Sequence, residues 1–171
     1  DYDGELTYSI IVNEGHRLVP RNIQKSYEIL CSALVCGLGL LDVPAEFKPI
    51  NDIVAGGKKI SGNAQTRRMA VVHQHGTILR KVDPTLMFSL LKVPSEKIRD
   101  KLIQSAKERV TSINGYLGRE VGFEDMKRAF REGFEKTFEI RLVDEVVTDY
   151  ETRQASELRG KYASHEWNFK R

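Results

Sequence analysis

Residues 51–62 read Asn-Asp-Ile-Val-Ala-Gly-Gly-Lys-Lys-Ile-Ser-Gly, and this stretch decides the fold. Two short extended arms flank Gly56 and Gly57. Both glycines can take the positive φ that a two-residue β-hairpin loop requires. The stretch therefore predicts a hairpin, and with it a sheet whose strands pair at least partly in the antiparallel sense.

Strand and helix patterns continue on both sides of this hairpin. Before it, residues 5–12 alternate between apolar and polar side chains, and residues 20–41 repeat apolar residues at helical spacing behind Pro20. After it, residues 70–81 alternate again, and the rest of the chain is mainly helical. Strands come first and helices later, an order that predicts an α+β fold rather than a doubly wound parallel sheet.

Several shorter elements are also predicted. The first three are a loop or piece of edge strand over 45–48, a short helix over 85–91, and a helix from the N-cap Ser95 to about Arg109. A core-facing helix follows along the aromatic stripe Phe123–Phe138. The last two are a strand over 140–147 and a terminal helix over about 150–167, with Ala155, Leu158 and Tyr162 inward.

Composition limits the classes of protein. The chain has 171 residues, of which 40% are hydrophobic and 30% charged, which is typical of a single globular domain over 1–171. No run approaches the ~20 apolar residues of a membrane span. The net charge of +3 comes without a dense basic stripe, so neither a membrane nor a nucleic acid is expected as partner.

Two cysteines, Cys31 and Cys36, lie five positions apart in the predicted first helix. This spacing points them to different faces, which disfavours a local disulfide or a metal pair. We interpret them as small core residues in a reducing compartment. No signal peptide is recognisable in the sequence, and a cytoplasmic location is expected.

The hairpin region also carries the densest set of chemically useful side chains. Simple alternation predicts that Lys59 and Ser61 face a cleft or solvent while Ile60 faces the core. A lysine fixed on a strand beside small residues can stabilise developing negative charge, and Asp52 across the hairpin could hold Mg²⁺ near the same point. Taken singly, each of these residues is more typical of a solvated hairpin charge.

Other motifs are less informative. His73 and His75 have a spacing known among metal ligands, but the sequence places no third cysteine or histidine nearby, so packed histidines are the favoured interpretation. The pairs Arg67-Arg68 and Arg80-Lys81 can bind phosphate, although such pairs more often lie on solvated turns. The sequence has no Walker loop and no G-x-G-x-x-G motif, so any bound nucleotide would be held by a different binding motif. It also has no G-x-S-x-G motif, so a serine nucleophile is unsupported.

Longer strings resemble the lipoate–protein ligase family of the biotin/lipoate ligase superfamily. They are Asn51-Asp52-Ile53, the string from Gly57 to Arg68, His75-Gly76-Thr77-Ile78-Leu79, the initial Gly4-Glu5-Leu6-Thr7-Tyr8-Ser9, the string Glu108-Arg109-Val110-Thr111-Ser112-Ile113, and the closing Lys161-Tyr162-Ala163-Ser164-His165-Glu166-Trp167-Asn168. The resemblance covers nearly the whole chain in register.

The resemblance implies a fold, a reaction and partners. The fold is a mixed, largely antiparallel sheet flanked by helices, as in the biotin and lipoate ligases. The reaction is ATP- and Mg²⁺-dependent conversion of lipoate to lipoyl-AMP, followed by transfer of the lipoyl group to a lysine. The acceptors are lipoyl domains of 2-oxoacid dehydrogenase acyltransferases or the glycine-cleavage H protein, and an accessory subunit on a separate polypeptide can take part.

Site residues follow from the same resemblance. Lys59 matches the family lysine that binds the acyl carbonyl and phosphate of the adenylate and stabilises charge in both steps. Binding roles are implied for further residues: Asn51 and Asp52 at the nucleotide and Mg²⁺, Ser61, Gly62 and Ala64 along the adenylate, and His75 and Gly76 beneath the acyl chain.

The family also has a segment that this chain lacks. An Arg-Arg and triple-glycine segment precedes the Glu-Leu-Thr-Tyr-Ser strand in the family, whereas the chain begins at Asp1, just after it. We therefore expect the chain to be the C-terminal two-thirds of a catalytic domain, without an accessory domain. Basic and glycine-rich residues upstream of Asp1, on the same or another polypeptide, are expected to complete the pocket.

Two other functions remain open. One is a cysteine-dependent octanoyl- or lipoyltransferase of the same superfamily, which needs a thiol near the lysine strand. A thiol buried in an apolar helix has a raised pKa and is a poor nucleophile, so Cys31 and Cys36 favour the ATP-dependent branch. The other is a non-catalytic fragment that binds lipoyl domains. A biotin ligase is disfavoured because the string from Lys59 to Gln65 is more typical of lipoate handling.

Overall fold

The computed structural model describes residues 3–92 and 94–170, which form two compact units, one ending at Ile140 and the other beginning at Arg141. A five-stranded sheet is the centre of the first unit. Its strands are β1 (Glu5–Asn13), β2 (Ala45–Lys48), β3 (Asp52–Ala55), β4 (Lys58–Arg68) and β5 (Val71–Leu79), in the spatial order β1-β5-β4-β3-β2. Neighbouring strands pair antiparallel, which confirms the predicted α+β class.

The predicted hairpin joins β3 to β4. Gly56 and Gly57 have φ values of 55° and 77°, the left-handed conformation expected of a type I′ loop. The stretch predicted as a loop or edge strand is the edge strand β2.

Five helices complete the first unit: α1 (Ile23–Gly39), α2 (Pro84–Leu90), α3 (Glu96–Arg109), α4 (Ile113–Leu117) and α5 (Phe123–Phe138). Pro20 does not open α1 as predicted; Asn22 does, because its side chain accepts a hydrogen bond from the Lys25 amide at 2.9 Å. The predicted cap at Ser95 is confirmed, since its hydroxyl accepts from the Ile98 amide.

Alternation along β5 divides the sheet into two faces. Val72, Gln74 and Ile78 are fully buried, and the face they share packs against α1 and α5 in one core with residues such as Leu34 and Phe130. We call this the covered face. The opposite face carries the odd-numbered residues of β5, and α2 and α3 lie only over its end near Leu79; we call it the open face.

The two helices on the covered face touch through their backbones. A Cβ added to Gly133 of α5 would lie 2.6 Å from the Ala33 oxygen and from the Gly37 nitrogen of α1. One added to Gly37 would lie 2.6 Å from the Phe130 ring. Glycine at 37 and 133 is therefore what lets α1 and α5 pack side by side on the sheet. From Met126 to Phe138 the aromatic stripe of α5 belongs to this core, as predicted, whereas Phe123 is not among the core residues.

The second unit contains α6 (Asp149–Ala163) and α7 (His165–Asn168). The predicted strand over 140–147 is wrong: these residues have no regular structure, and Val146 is 86% exposed, since an alternating segment needs a neighbouring strand to become one. The predicted terminal helix is interrupted at Ser164, which caps α7.

Both units of the described chain contain helices. None of their helices has the length and apolar character that a crossing requires.

The contact between α1 and α5 predicts a stability effect. Gly133→Ala should lower the free energy of unfolding by about 1–3 kcal/mol, because the new methyl group overlaps the α1 backbone. Gly39→Ala, in the same helix pair, is the control: nothing lies within 4 Å of its added Cβ, and alanine favours a helix. Urea denaturation measures both variants, and equal stabilities would contradict the tight contact.

Candidate active site

A β-bulge in β4 sets the direction of Lys59. Val54 pairs with Lys59 and Ile53 with Ser61, so Ile60 is the extra residue. Ser61 lies opposite Ile78 and is 1% exposed on the covered face. The prediction that Lys59 and Ser61 share a face is therefore wrong, because simple alternation does not hold across a bulge.

The ammonium group of Lys59 lies on the open face. Its Nζ is 2.6 Å from Asp52 Oδ1, and the side chains are 43% and 33% exposed. A Cβ added to Gly62 would lie 2.9 Å from Lys59 Nζ, so glycine is needed for the ammonium to rest above the strand. An ion pair this exposed contributes little to stability. Its effect is to fix where the positive charge lies.

The backbone of Lys59 is held as well. Its carbonyl oxygen accepts a hydrogen bond from the Thr111 amide at 2.8 Å, in a parallel bridge that joins Lys59 to Val110. The segment after α3 thus anchors the strand at the bulge. Both ends of the lysine are positioned, one by this bridge and one by Asp52.

Small residues and an apolar cavity adjoin this charge. Gly62 pairs with Thr77 and Ala64 with His75 on the open face, which leaves the sheet surface beside Lys59 nearly flat. A cavity of about 300 Å³, within the size range of small-molecule sites, extends from Lys59 beneath α2 and α3. Its lining is mainly apolar: Lys59, Ser61, Gly62, Thr77, Leu79, Val82, Met87, Ala106 and Val110. The arrangement suits an acyl group whose carbonyl lies at the ammonium.

The site residues that the resemblance implied do not all lie on the same face of the sheet. Asp52, Gly62, Ala64 and His75 lie on the open face with Lys59. Ser61 and Gly76 lie on the covered face, and the side chain of Asn51 donates to the Asn63 carbonyl.

Gly76 has a packing role in the sheet. A Cβ there would lie 2.5 Å from Asn63 Oδ1 and 2.8 Å from the Tyr8 ring. The missing side chain makes room for the hydrogen bond from the Tyr8 hydroxyl to Asn63 Oδ1, at 2.6 Å.

This hydrogen bond belongs to a buried polar network that the sequence analysis did not identify. Gln74 Nε2 donates to the Tyr8 hydroxyl at 3.0 Å, and Gln65 Nε2 donates to Gln74 Oε1 at 3.0 Å. Burial raises the pKa of Tyr8 well above its ordinary value, so the phenol stays a donor. The signal for the network is the polar Gln74 between the apolar residues of the covered face.

Two arginines considered as phosphate ligands are already engaged. Arg80 is 6% exposed and donates to the Asp3 carbonyl, the Asp3 carboxylate and the Val121 carbonyl. Arg67 donates to the Pro20 carbonyl and the Ser26 hydroxyl. Both guanidinium groups join distant segments of the chain.

The cysteines and histidines have separate surroundings. Cys31 is fully buried in α1, and burial raises the pKa of its thiol to about 12. Cys36 is half-buried on the same helix, which packs on the covered face, away from Lys59. The rings of His73 and His75 lie 5.4 Å apart, and among the described residues no group of three potential metal ligands occurs.

Comparisons with known proteins agree on one family for this chain. Residues 2–135 match the family described as the lipoyl protein ligase A/B catalytic domain. The chain is 36% identical to octanoyltransferase LipM of Geobacillus kaustophilus and 31% identical to octanoyltransferase LipM of Bacillus subtilis. In both cases 99% of the chain aligns with 70% of the relative.

Solved structures share the fold. A bi-partite lipoate protein ligase of Thermoplasma acidophilum, studied with its E2 lipoyl domain, has a TM-score of 0.85 and 29% identity. A lipoate-protein ligase A bound with ATP has a TM-score of 0.78 and 27% identity. The chain is covered to 96% in each, but spans only 64% and 65% of those chains.

The prediction of an ATP-dependent lipoate ligase is wrong. The curated relatives with 31–36% identity quoted above are octanoyltransferases. The strings that carried the prediction place a positive charge at the mouth of an apolar cavity. Such a charge suits an acyl group that arrives as an adenylate and one that arrives as a thioester equally well, so it does not identify the donor.

The buried thiol makes stability depend on pH. In the unfolded chain Cys31 ionises near its ordinary pKa of 9.0, whereas burial in the folded chain raises the pKa of this thiol to about 12. The folded state therefore holds more protons in this range, and stability falls as pH rises above 9. Urea denaturation between pH 8 and 10.5 should show a slope steeper by up to about 1.4 kcal/mol per pH unit than in Cys31→Ala. Identical slopes would contradict the burial of this thiol.

Proposed function

We propose that this chain, which belongs to the family of lipoyl protein ligase A/B catalytic domains, carries the acyl-transfer site of an octanoyltransferase. The family membership confirms the resemblance read from the sequence. The substrate is an octanoyl or lipoyl group held as a thioester, and the acceptor is a lysine of another protein domain.

One observation carries the proposal: a fixed positive charge stands at the mouth of an apolar cavity. The Lys59 ammonium is held by Asp52 on one side and rests above Gly62 on the other. The cavity behind it is lined by residues such as Leu79 and Val110. A medium-length acyl chain needs this combination, with a charge at the carbonyl and an apolar space for the tail.

The transfer reaction balances without a further reactant. The uncharged amine of the acceptor lysine attacks the thioester carbonyl carbon, and a C–N bond forms. The Lys59 ammonium donates a hydrogen bond to the oxyanion that develops on the carbonyl oxygen. The C–S bond then breaks, and the proton lost by the amine is taken up by the departing thiolate.

The remaining site residues divide between contact and positioning. Gly62 and Ala64 form the flat surface along the acyl thioester, and His75 borders it on the neighbouring strand. Asp52 holds the lysine. We assign a positioning role, without substrate contact, to Asn51, Ser61 and Gly76. All three contact Asn63, either from the covered face or from the turn before β3.

The partner and the location are part of the same proposal. The solved relative studied with an E2 lipoyl domain supports an acceptor of that kind, as in 2-oxoacid dehydrogenase acyltransferases or the glycine-cleavage H protein. Two unpaired thiols support a cytoplasmic location. The chain spans 70% of the octanoyltransferase from Geobacillus kaustophilus and 64% of the bi-partite ligase.

The decisive experiment offers two acyl donors to the natural polypeptide that contains this chain. Octanoylation of a lipoyl domain from an octanoyl thioester of a carrier protein, without nucleotide, is the expected result. Mass spectrometry of the lipoyl domain measures it. Octanoylation only from free octanoate with ATP would contradict the proposal.

Lys59→Ala should lower the rate of this transfer by ~10²-fold or more, because the oxyanion loses its positive charge. The fold should persist, since the lysine side chain is partly exposed. Lys58→Ala is the matched control: its Nζ donates to the Lys107 carbonyl and does not contact Asp52 in the structure. A Lys59→Ala enzyme with near-normal transfer would overturn the assigned role.

Replacing both Cys31 and Cys36 by alanine should leave transfer largely intact, apart from some loss of stability. Both thiols belong to the helix on the covered face, and the pKa of Cys31 is raised to about 12, so neither is placed to carry the acyl group. A folded double variant with no transfer at all would instead indicate an acyl-enzyme on one of these residues.

A further inference from the structure

A second cavity adjoins the one at Lys59. It has a volume of about 360 Å³ and lies between the end of β5 and α2. Leu86, Leu90 and Leu91 give it an apolar side, while Glu5, Lys81 and Asp83 give it a polar rim. Together the two cavities follow the end of the open face beneath α2.

Three residues line both cavities and therefore separate them: Leu79, Val82 and Met87. Leu79 is fixed by its place at the end of β5, opposite Glu5 of β1. Met87 comes from α2, whose first turn is held by the Asp83 carboxylate. Met87 is thus the residue of this partition that lies on a short helix and not on the sheet.

We propose that Met87 determines the length of acyl chain that the site accepts, an inference that rests on the proposed acyl transfer. The carbonyl lies at Lys59, the chain runs through the first cavity, and its methyl end meets Met87. The second cavity is apolar along its α2 side and adjoins the first at the three residues of the partition. Removal of the Met87 side chain joins the two spaces and admits a longer chain.

Methionine suits a partition of this kind. Its unbranched thioether adapts to a partner of slightly different shape, so octanoyl and lipoyl tails can both end against it. A chain four carbons longer requires the side chain to leave, which costs the contacts it makes on both sides. An apolar pocket discriminates between two substrates that differ by one methylene group by ~10–200-fold.

The experiment compares Met87→Ala with the unaltered natural polypeptide that contains this chain. Transfer to a lipoyl domain is measured with octanoyl and dodecanoyl thioesters, and binding of octanoate and dodecanoate is measured by calorimetry. We expect the dodecanoyl-to-octanoyl ratio of kcat/KM to rise at least tenfold in Met87→Ala. Val82→Ala removes another side chain of the same partition and should also raise the dodecanoyl-to-octanoyl ratio.

Two control variants separate the partition from the second cavity in general. Met87→Leu, of similar volume, should keep the original ratio. Leu90→Ala enlarges the second cavity without touching the partition and should also keep it. An unchanged ratio in both Met87→Ala and Val82→Ala, with octanoyl transfer intact, would overturn the inference.

Failure of the proposed function gives a different result. If the unaltered protein transfers no octanoyl group from a thioester, the proposed function is wrong, and calorimetry alone then decides the inference. A relative gain in dodecanoate binding by Met87→Ala would support the partition. Equal relative affinities in the two proteins would reject it.

Discussion

The hydrogen bond from Tyr8 to Asn63 spans strand β5 of the sheet, and the geometry of the candidate site depends on it. It joins β1 to β4 across Gly76 of β5, at 2.6 Å, where any larger side chain would collide with both partners. Asn63 in turn donates to the carbonyl of Asn51, and the side chain of Asn51 donates to the backbone of Asn63. Asp52 follows directly and meets Lys59. A buried contact on one face thereby fixes a charge on the other.

The sheet separates structural and chemical side chains by the alternation of its strands, which the bulge at Ile60 shifts by one residue in β4. Polar groups on the covered face are paired with one another, which satisfies them in the absence of water. Polar groups on the open face remain partly exposed and can meet a substrate. The glycine contact between α1 and α5 is what keeps the covered face dry, because it lets the two helices lie close together over the strands.

Local patterns in the sequence predicted much of this fold. The glycine pair at 56–57, the alternation in β1 and β5, and the aromatic stripe of α5 each depend on neighbouring residues alone, and each prediction is confirmed. The bulge at Ile60 could not be predicted in this way, because it depends on the register with β3. The false strand over 140–147 has the same origin: alternation indicates a strand only where a partner strand is available.

The order of the strands has a consequence for how the chain acquires its structure. Among the described strands β1 is made first and has one neighbour, β5, in which Leu79 pairs with Glu5. Strands β2 to β5 follow one another through short connections and can zip together locally. During synthesis β1 therefore meets this neighbour only after the whole of β5 has emerged. Long-range pairing of this kind is slow, so we expect β1 to close the sheet last and to need protection from other chains until then.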